Sequence, residues 1–371
     1  MSFRTNVRKS TVKSNTKIFD NISLKNDLHT DRGKLLLACC RSGFRFTAKV
    51  VCEMEKKLVK ENPHDDFTFL QKIDRTFPDS ETCAELTEHV SGFDAFLFQS
   101  LYNPVSGPEI DKNYMAFLIA LRTLREHGAR YITGVLPYLA YARQDKPTPF
   151  KREPCTAALM ADLTVAAGLD RLVTWHPHCG QLGGFYGTVP VDMLDPLQLL
   201  VEEFREYKGR DDVVAVAPDA GAYRLAAQFS RTLEISSAVA AKYRSGADVG
   251  VSGIAGDFKG KKTAIILDDI LSSGSTVHEV ITHIHAVSEI DEVVLAVSHN
   301  LCSKDALARL HELHRNYHLT RVIVTNSIPQ SREFTTLPFL EVRSLAHAFF
   351  QAVYRIHTNQ SLSNYFTKDL N

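Results

Sequence analysis

The sequence predicts an α/β protein built from two doubly wound parallel sheets. Apolar segments with the composition of buried strands alternate with amphipathic helical segments along most of the chain, and this alternation is typical of consecutive βαβ units. A length of 371 residues is too great for one ordinary domain and suits two. The composition, with 44% hydrophobic and 23% charged residues, provides enough apolar material for two cores.

The first half contains five segments with strand composition, at residues 35–39, 67–71, 94–98, 131–136 and 171–175. Apolar residues that recur at helical spacing predict three helices between them, at 44–60, 114–128 and 154–167. The last helix opens with Pro154, which is favourable in a first helical turn. The segment Gly-Thr-Val-Pro-Val at 187–191 is the expected crossover to the second half.

The second half repeats the alternation. It contains predicted strands at 213–217, 263–267, 292–297 and 320–325, and predicted helices at 220–230, 275–287, 303–314 and 345–356. We therefore expect an extension at 1–32, a first domain at 33–190 and a second domain at 191–345, with a final helix at 346–366 that packs on the first domain.

Composition also argues against several classes of protein. Lys plus Arg and Asp plus Glu both total 43, and this zero net charge argues against a nucleic-acid binder that relies on bulk positive charge, although a local basic cleft stays open. The sequence has no run of about 18 apolar residues, so we expect no membrane span. It also lacks an apolar region at the N-terminus, so we expect no secretory signal.

Two further features bear on location. The seven cysteines are odd in number and include no C-x-x-C pair, so we expect free thiols and a cytoplasmic protein. In residues 1–32, several basic residues come before the first acidic residue. Two interpretations stay open for this segment: an organelle transit peptide or a disordered polar extension.

The most informative segment follows the predicted strand 263–267. Ligands of open α/β sheets bind beyond the carboxyl ends of the strands. Here Asp268 and Asp269 are followed by a hydroxyl-rich loop at the start of a helix, consisting of Ser272, Ser273, Gly274, Ser275 and Thr276. Such a loop offers N–H groups and the helix dipole to a phosphate, while the carboxylates accept sugar hydroxyls or hold a metal. The segment predicts a sugar-phosphate site; the alternative is a Ser-capped helix with solvated acids.

Two more strand ends carry polar residues. Asp219 follows the strand 213–217 and suits a magnesium site or a hydroxyl contact, although aspartate is also a common helix cap. His178 follows the strand 171–175 without the acid or thiolate partners of a zinc site. A histidine that contributes to a magnesium–phosphate assembly and a structural histidine both stay open for this position.

Basic residues occur in two segments that suit phosphoryl transfer. Arg143, Lys146, Lys151 and Arg152 lie in a proline-broken loop after the strand 131–136, and such a loop can close over a polyphosphate and exclude water; a solvated surface loop is the alternative. In Lys242-Tyr243-Arg244 the two cations face one way if the segment is extended. From these residues alone, surface charge is the simpler interpretation of the pair. A P-loop-like segment at 256–263 is one residue short and precedes a strand, which excludes it.

Taken together, these segments resemble the ribose-phosphate pyrophosphokinase (phosphoribosyl pyrophosphate, PRPP, synthetase) family from about residue 33 to residue 366. The most specific segment is Y-A-R-Q-D-K at 141–146, which resembles the flexible ATP loop of the family. Further similar segments are F-P-D-S-E-T at 77–82, H-C-G-Q-L-G-G-F at 178–185, P-D-A-G at 218–221 and T-N-S-I-P-Q at 325–330. Residues 268–276 resemble the PRPP loop, which phosphoribosyltransferases share.

The resemblance implies domains of the phosphoribosyltransferase type and transfer of the diphosphoryl group of ATP to the 1-hydroxyl of ribose 5-phosphate, with Mg²⁺ required. It implies that Lys242 and Arg244 stabilise the transferring group and that His178 and Asp219 hold magnesium. It places ATP at Phe77, Asp79, Glu81, Arg143, Gln144, Asp145 and Lys146, and ribose 5-phosphate at Asp268, Asp269 and residues 272–276. In the family, the adenine strip at 77–81 comes from a neighbouring subunit, which implies a homo-oligomer, usually a hexamer built from dimers.

The chain departs from the family pattern at several positions. Ser272 and Ser273 stand where the family typically has Asp and Thr, and Gly is frequent at the position of Ser275. In the ATP loop Pro147 replaces a usual basic residue, and the loop is one residue longer. Two alternative functions stay open: a non-catalytic regulatory subunit, which the retained site residues argue against, and a phosphoribosyltransferase, to which the first half of the chain does not belong.

Overall fold

A parallel six-stranded sheet organises the first half of the chain. The computed structural model describes residues 30–61, 67–107, 109–245 and 248–363. The first sheet has the strand order β2-β1-β5-β6-β7-β8, and its strands are β1 (Leu35–Cys39), β2 (Thr68–Gln71), β5 (Asp94–Phe98), β6 (Tyr131–Leu136), β7 (Arg171–Trp175) and β8 (Val191–Leu194). A small antiparallel hairpin is formed by β3 (Asp74–Thr76) and β4 (Thr82–Ala84). The helices of this half are α1 (Phe44–Glu61), α2 (Ile110–Glu126) and α3 (Thr156–Ala166).

The second half forms a seven-stranded sheet with the order β11-β10-β9-β12-β13-β14-β15. Its strands are β9 (Val213–Ala217), β10 (Ser236–Ser245), β11 (Asp248–Ala255), β12 (Thr263–Leu271), β13 (Glu292–Asn300), β14 (Leu319–Thr325) and β15 (Leu340–Arg343). Only the pair β10–β11 is antiparallel among these strands as the structure describes them. The helices are α4 (Leu197–Glu203), α5 (Tyr223–Leu233), α6 (Ser275–Val287), α7 (Lys304–Asn316), α8 (Arg332–Thr335) and α9 (Ala346–His357).

The predicted α/β architecture is confirmed, with differences at several elements. The chain leaves the first sheet after β8, and not at 187–191 as expected, because Val191–Leu194 pairs in parallel with β7. β12 continues to Leu271, so Asp268 and Asp269 lie within the strand and not after it. The elements that the sequence did not predict are the β3–β4 hairpin, β8, α4, the β10–β11 hairpin, α8 and β15. The domain limits at 33–190 and 191–345 stay a prediction.

Each sheet has an apolar layer on both faces, as a doubly wound sheet requires. The last helix, α9, ends at His357 and not at residue 366 as expected, because the chain turns at Thr358 and Asn359, where Asn359 has a φ of +54°. It packs against α1 of the first half, where the rings of Phe46 and Phe349 meet edge to face at 5.2 Å. The fully buried Asp94 accepts two hydrogen bonds from Arg32, at 2.8 and 3.0 Å, and lies 2.8 Å from His357 Nδ1. One carboxylate thus ties the segment before β1 and the end of α9 to the central strand β5.

Two other predictions concern the cysteines and the absence of a membrane span. All seven cysteines are free thiols, as predicted. No helix in the described part of the chain combines the length and the apolar character that a membrane span needs.

Candidate active site

Two polar side chains meet where the first sheet faces the second. His178 Nδ1 lies 2.6 Å from Asp269 Oδ2, and 41% of the His178 side chain and 18% of the Asp269 side chain are exposed. Burial raises the pKa of Asp269, but the hydrogen bond from His178 and the neighbouring imidazoles outweigh it and lower this pKa to about 2. The same hydrogen bond raises the pKa of His178. An ionised carboxylate therefore holds the imidazole across the junction of the two sheets.

Two further carboxyl groups lie beside this pair. Burial raises the pKa of Asp268 well above its ordinary value, and the charges of Asp269 and Asp219 raise it further. Asp219 Oδ1 accepts hydrogen bonds from the N–H groups of Gly221 and Ala222, at 2.9 and 3.2 Å. These two bonds match the capping alternative for Asp219, whose contact with a metal ion stays a prediction.

The loop 272–276 leads into α6 and is braced by α7. Gly274 has a φ of +76°, a left-handed conformation that favours glycine. Ser303 Oγ donates to the Ser272 carbonyl at 2.6 Å, and Arg309 donates to the next carbonyl at 2.6 Å. The N-cap residue of α6, Gly274, has no side chain, and the Ser273 hydroxyl accepts a long hydrogen bond of 3.5 Å from the Ser275 N–H. The first N–H groups of the helix and its dipole are therefore suited to an anionic group.

The basic loop after β6 is anchored at its base. The Gln144 carbonyl accepts a hydrogen bond from the Ala157 N–H at 3.1 Å, which brings the two ends of the loop together. Asp145 Oδ2 accepts a hydrogen bond from Gln181 Nε2 at 2.5 Å. This second contact ties the loop to the segment that follows β7. Lys146, immediately after the anchor, is exposed.

Arg143 lies between a narrow crevice and a larger cavity. On one side it lines a narrow crevice together with His178 and Asp269. On the other side it lines a cavity of about 1370 Å³, to which Glu81 and Gln144 also contribute. The cavity therefore adjoins the His178–Asp269 pair and brings together residues that the resemblance assigns to ATP.

The remaining residues of the adenine strip lie on the β3–β4 hairpin. Phe77 is 40% exposed, and the guanidinium of Arg75 lies 5.1 Å from the centroid of its ring. Asp79 Oδ1 accepts a hydrogen bond from the Glu81 N–H at 3.1 Å, which closes the turn of the hairpin. The exposure of this hairpin is compatible with the contact to a neighbouring subunit that the resemblance implies.

Lys242 and Arg244 occupy alternate positions of β10, whose backbone pairs with Val251 and Val249 of β11. The segment is extended, which is the condition under which the sequence places both cations on one side. The side chains of both residues lie outside the described residues, so their orientation stays a prediction.

Sequence reasoning missed a buried polar cluster beneath His178. His299 lies inside β13, with Nδ1 2.8 Å from Ser327 Oγ and Nε2 3.0 Å from the His176 carbonyl. Ser298 Oγ lies 2.6 Å from His176 Nδ1. A histidine within an apolar strand resembles an ordinary core residue in sequence, and these contacts come from the other sheet.

The donor set at the junction fits magnesium. Within the parts of the chain that the structure describes, no three His, Cys, Asp or Glu side chains form a metal-binding group. Mg²⁺ keeps several waters and usually takes one or two protein ligands plus substrate phosphates, so it does not require such a group. Since Nδ1 of His178 is bonded to Asp269, Nε2 is its remaining ligand atom, as in carboxylate–histidine–metal arrangements.

These features define an α/β enzyme of the phosphoribosyl type, with a braced loop at a helix N-terminus beside paired carboxylates. Comparisons with known proteins are more specific. Residues 52–168 match the model of the N-terminal domain of ribose phosphate pyrophosphokinase, and residues 197–322 match that of the phosphoribosyl transferase domain. The chain therefore belongs to the ribose-phosphate pyrophosphokinase family.

Similar proteins cover most of the chain. A ribose-phosphate pyrophosphokinase of Caldanaerobacter subterraneus is 35% identical over 79% of this chain and 88% of its own length. Ribose-phosphate pyrophosphokinase A of Dictyostelium discoideum is 32% identical over 78% of this chain and 88% of its own length. The crystal structure of phosphoribosylpyrophosphate synthetase from Mycobacterium smegmatis superposes with a TM-score of 0.72 and 29% identity, over 88% of this chain and 100% of that one. The chain is an enzyme that transfers the diphosphoryl group of ATP to ribose 5-phosphate to give PRPP and AMP, a reaction of nucleotide biosynthesis.

Proposed function

We propose that diphosphoryl transfer takes place beside the His178–Asp269 pair. The observation that carries this proposal is the 2.6 Å contact between the two side chains. It joins the segment anchored to the ATP loop to the strand that leads into the loop 272–276. A phosphate chain at Arg143 and a sugar phosphate at the loop 272–276 would therefore meet at this pair.

The sugar site lies at the end of β12. The 5-phosphate binds at the loop 272–276 through the first N–H groups of α6 and the hydroxyls of Ser273, Ser275 and Thr276, whereas the side chain of Ser272 contacts the sugar. Asp268 and Asp269 accept hydrogen bonds from the ribose hydroxyls. This arrangement directs the 1-hydroxyl of the sugar towards the junction of the two sheets.

The ATP site begins at the junction, on the side of Arg143 that borders the cavity of about 1370 Å³. Its phosphates bind the anchored loop through Arg143, Gln144, Asp145 and Lys146. The adenine binds the hairpin strip formed by Phe77, Asp79 and Glu81. Since the hairpin is exposed, we propose that a neighbouring subunit supplies this strip in a homo-oligomer, and that the enzyme works in the cytoplasm.

In the reaction, the 1-hydroxyl oxygen of ribose 5-phosphate forms a bond with the β-phosphorus of ATP. The bond from that phosphorus to the oxygen bridging to the α-phosphate breaks, AMP leaves and the hydroxyl proton passes to solvent. Lys242 and Arg244 stabilise the charge on the transferring group. His178 and Asp219 would hold magnesium, which would supply positive charge to the phosphates when bound.

A direct assay tests the proposal. Incubation with ATP, Mg²⁺ and ribose 5-phosphate should yield AMP and PRPP in equal amounts, and His178→Ala should strongly reduce both. His347→Ala is a matched control, because His347 also pairs with a carboxylate, Glu53, at 3.3 Å, but lies far from the site on α9. Wild-type turnover in His178→Ala would contradict the placement of the site.

Ser272 provides a second test of the sugar site. Its carbonyl is fixed by Ser303 at 2.6 Å, so Ser272→Asp changes the side chain within a braced loop. A hydrogen bond to a charged acceptor contributes roughly 1.5–3 kcal/mol, against roughly 0.5–1.5 for a neutral one. We therefore expect the KM for ribose 5-phosphate to fall by about tenfold, with little change in the KM for ATP. A weaker affinity for the sugar phosphate would show that the hydroxyl contacts phosphate instead.

A further inference from the structure

His178 is preceded by a residue in an uncommon conformation. His176, at the end of β7, has a φ of +38°, in the left-handed region that residues other than glycine rarely adopt. Pro177 follows and restricts the chain further. Such a conformation persists only where surrounding contacts hold it, and it is frequent near functional sites. The orientation of His178 therefore depends on what holds His176.

Two consecutive residues of β13 hold His176 at two points. Ser298 Oγ lies 2.6 Å from the Nδ1 atom of its ring. His299 Nε2 lies 3.0 Å from its carbonyl oxygen. β13 belongs to the second sheet and His176 to the end of a strand in the first, so these contacts cross the junction between the sheets.

The protonation of His299 follows from its partners. A carbonyl oxygen only accepts hydrogen bonds, so Nε2 of His299 carries the hydrogen that bonds to His176. Burial lowers the pKa of His299 to about 4, so the ring is neutral near pH 7, and its unprotonated Nδ1 lies 2.8 Å from Ser327 Oγ, whose hydroxyl also lies 3.0 Å from the Ser298 carbonyl. The tautomer is thereby fixed, and His299 and Ser327 are both buried, with 3% and 1% exposed.

We propose that His299 is a positioning residue for the reaction: its Nε2–H holds the His176 carbonyl and thereby orients His178 towards Asp269. The inference rests on the proposed role of His178. Partners that orient a ligand through a second residue typically change activity or metal affinity about 10–100-fold when they are removed. In this scheme His299, which lies at the crevice lined by Arg143, His178 and Asp269, acts through the backbone of His176.

Three substitutions at one position separate this role from packing. His299→Leu removes both hydrogen bonds, His299→Asn retains an amide near Ser327 but is too short for the His176 carbonyl, and His299→Gln restores an N–H near the Nε2 position. We expect kcat to fall about 10–100-fold in the Leu and Asn variants and to recover to within about threefold of wild type in the Gln variant. The KM for ribose 5-phosphate should change by less than about threefold in each.

A second readout does not depend on turnover. In protein labelled with ¹⁵N-histidine, the resonances of His178 are identified by their loss in His178→Asn. We expect them to move towards the values of a solvent-exposed imidazole in the His299→Asn and His299→Leu variants, and to stay near wild type in His299→Gln. Since Asn is polar and small, this variant keeps the test available if His299→Leu does not fold.

His357→Leu is the matched control, because His357 is also fully buried and its Nδ1 lies 2.8 Å from an acceptor, Asp94. It should lower stability while the kcat of the folded protein and the His178 resonances stay unchanged. Unchanged kcat and His178 resonances in His299→Asn would overturn the proposal, as would equal losses in the Asn and Gln variants. If His178→Asn itself keeps wild-type turnover, the proposed placement of the active site fails instead.

Discussion

Replacing Asp269 with Asn tests whether this carboxylate acts through His178. The contact of 2.6 Å and the low pKa of Asp269, about 2, describe a hydrogen bond to an ionised acceptor. Asn keeps an acceptor oxygen at this position but removes the charge. The difference between a charged and a neutral hydrogen bond is roughly 1–1.5 kcal/mol. Because 41% of the His178 side chain is exposed, solvent screening favours the lower value, about 1 kcal/mol or about fivefold in rate.

The assay is a double-mutant cycle on kcat with both substrates saturating. We expect Asp269→Asn to lower kcat by about fivefold in the wild-type background and to have no further effect in the His178→Ala background, because the two residues act as one unit. In the single variant, the pKa of His178 should also fall towards its ordinary value, which a pH titration of its imidazole resonance measures.

The outcome that refutes this reasoning is additivity. If Asp269→Asn lowers kcat by the same factor with and without His178, the carboxylate does not act through the imidazole. The proposed contact of Asp269 with the sugar hydroxyls is measured separately through the KM for ribose 5-phosphate, which its loss should raise in both backgrounds.

Three other predictions concern the transfer step, the core and the effect of pH. Lys242→Ala and Arg244→Ala should each lower diphosphoryl transfer about 10²–10³-fold while ATP binding survives, and near-normal turnover in either variant would contradict the role of the pair. Asp94→Ala should lower the free energy of unfolding in urea by about 3–5 kcal/mol, because it leaves the buried His357 and the partly buried Arg32 without their carboxylate; a loss below about 1 kcal/mol would show that the cluster is dispensable. Burial lowers the pKa of both His299 and His176 to about 4, so both should lower stability as the pH drops from 6.5 to about 4, because the unfolded chain protonates them in that window and the folded chain does not; the part due to His299 is up to about 3 kcal/mol, and His299→Gln should remove it.

The elements that sequence reasoning placed well are those whose apolar pattern is strong. β5, β6, β7 and β9 have the predicted limits, and α1 differs from the prediction by one residue at its end. β10 was not predicted as a strand, because Ser236–Ser245 is rich in small residues of weak strand propensity. Its conformation depends on pairing with β9 and β11, which are distant in sequence.

In the candidate site, too, local sequence patterns predict some features, and contacts distant in sequence determine the others. Local patterning predicts His178 just after β7 and Asp269 near the carboxyl end of β12, but the hydrogen bond between them joins residues 91 positions apart on two sheets. His299 carries no local signal at all, because its two partners, Ser327 and His176, lie just after β14 and just after β7. Tertiary contacts between sheets therefore decide which strand-end residues form one site.

The neighbouring residues Asp268 and Asp269 differ in protonation because the fold gives them different surroundings. In sequence, Asp268 and Asp269 form one motif, yet β12 extends through both, and successive side chains of a strand point to opposite faces. Asp269 meets His178 and is ionised, whereas burial and the charges of Asp269 and Asp219 raise the pKa of Asp268. The raised pKa of Asp268 lowers the negative charge that faces two phosphate-bearing substrates before they bind. We therefore expect Asp268→Asn to weaken substrate binding less than Asp269→Asn does, and the reverse order of KM values for ribose 5-phosphate would show that Asp268 is the principal acceptor of the sugar hydroxyls.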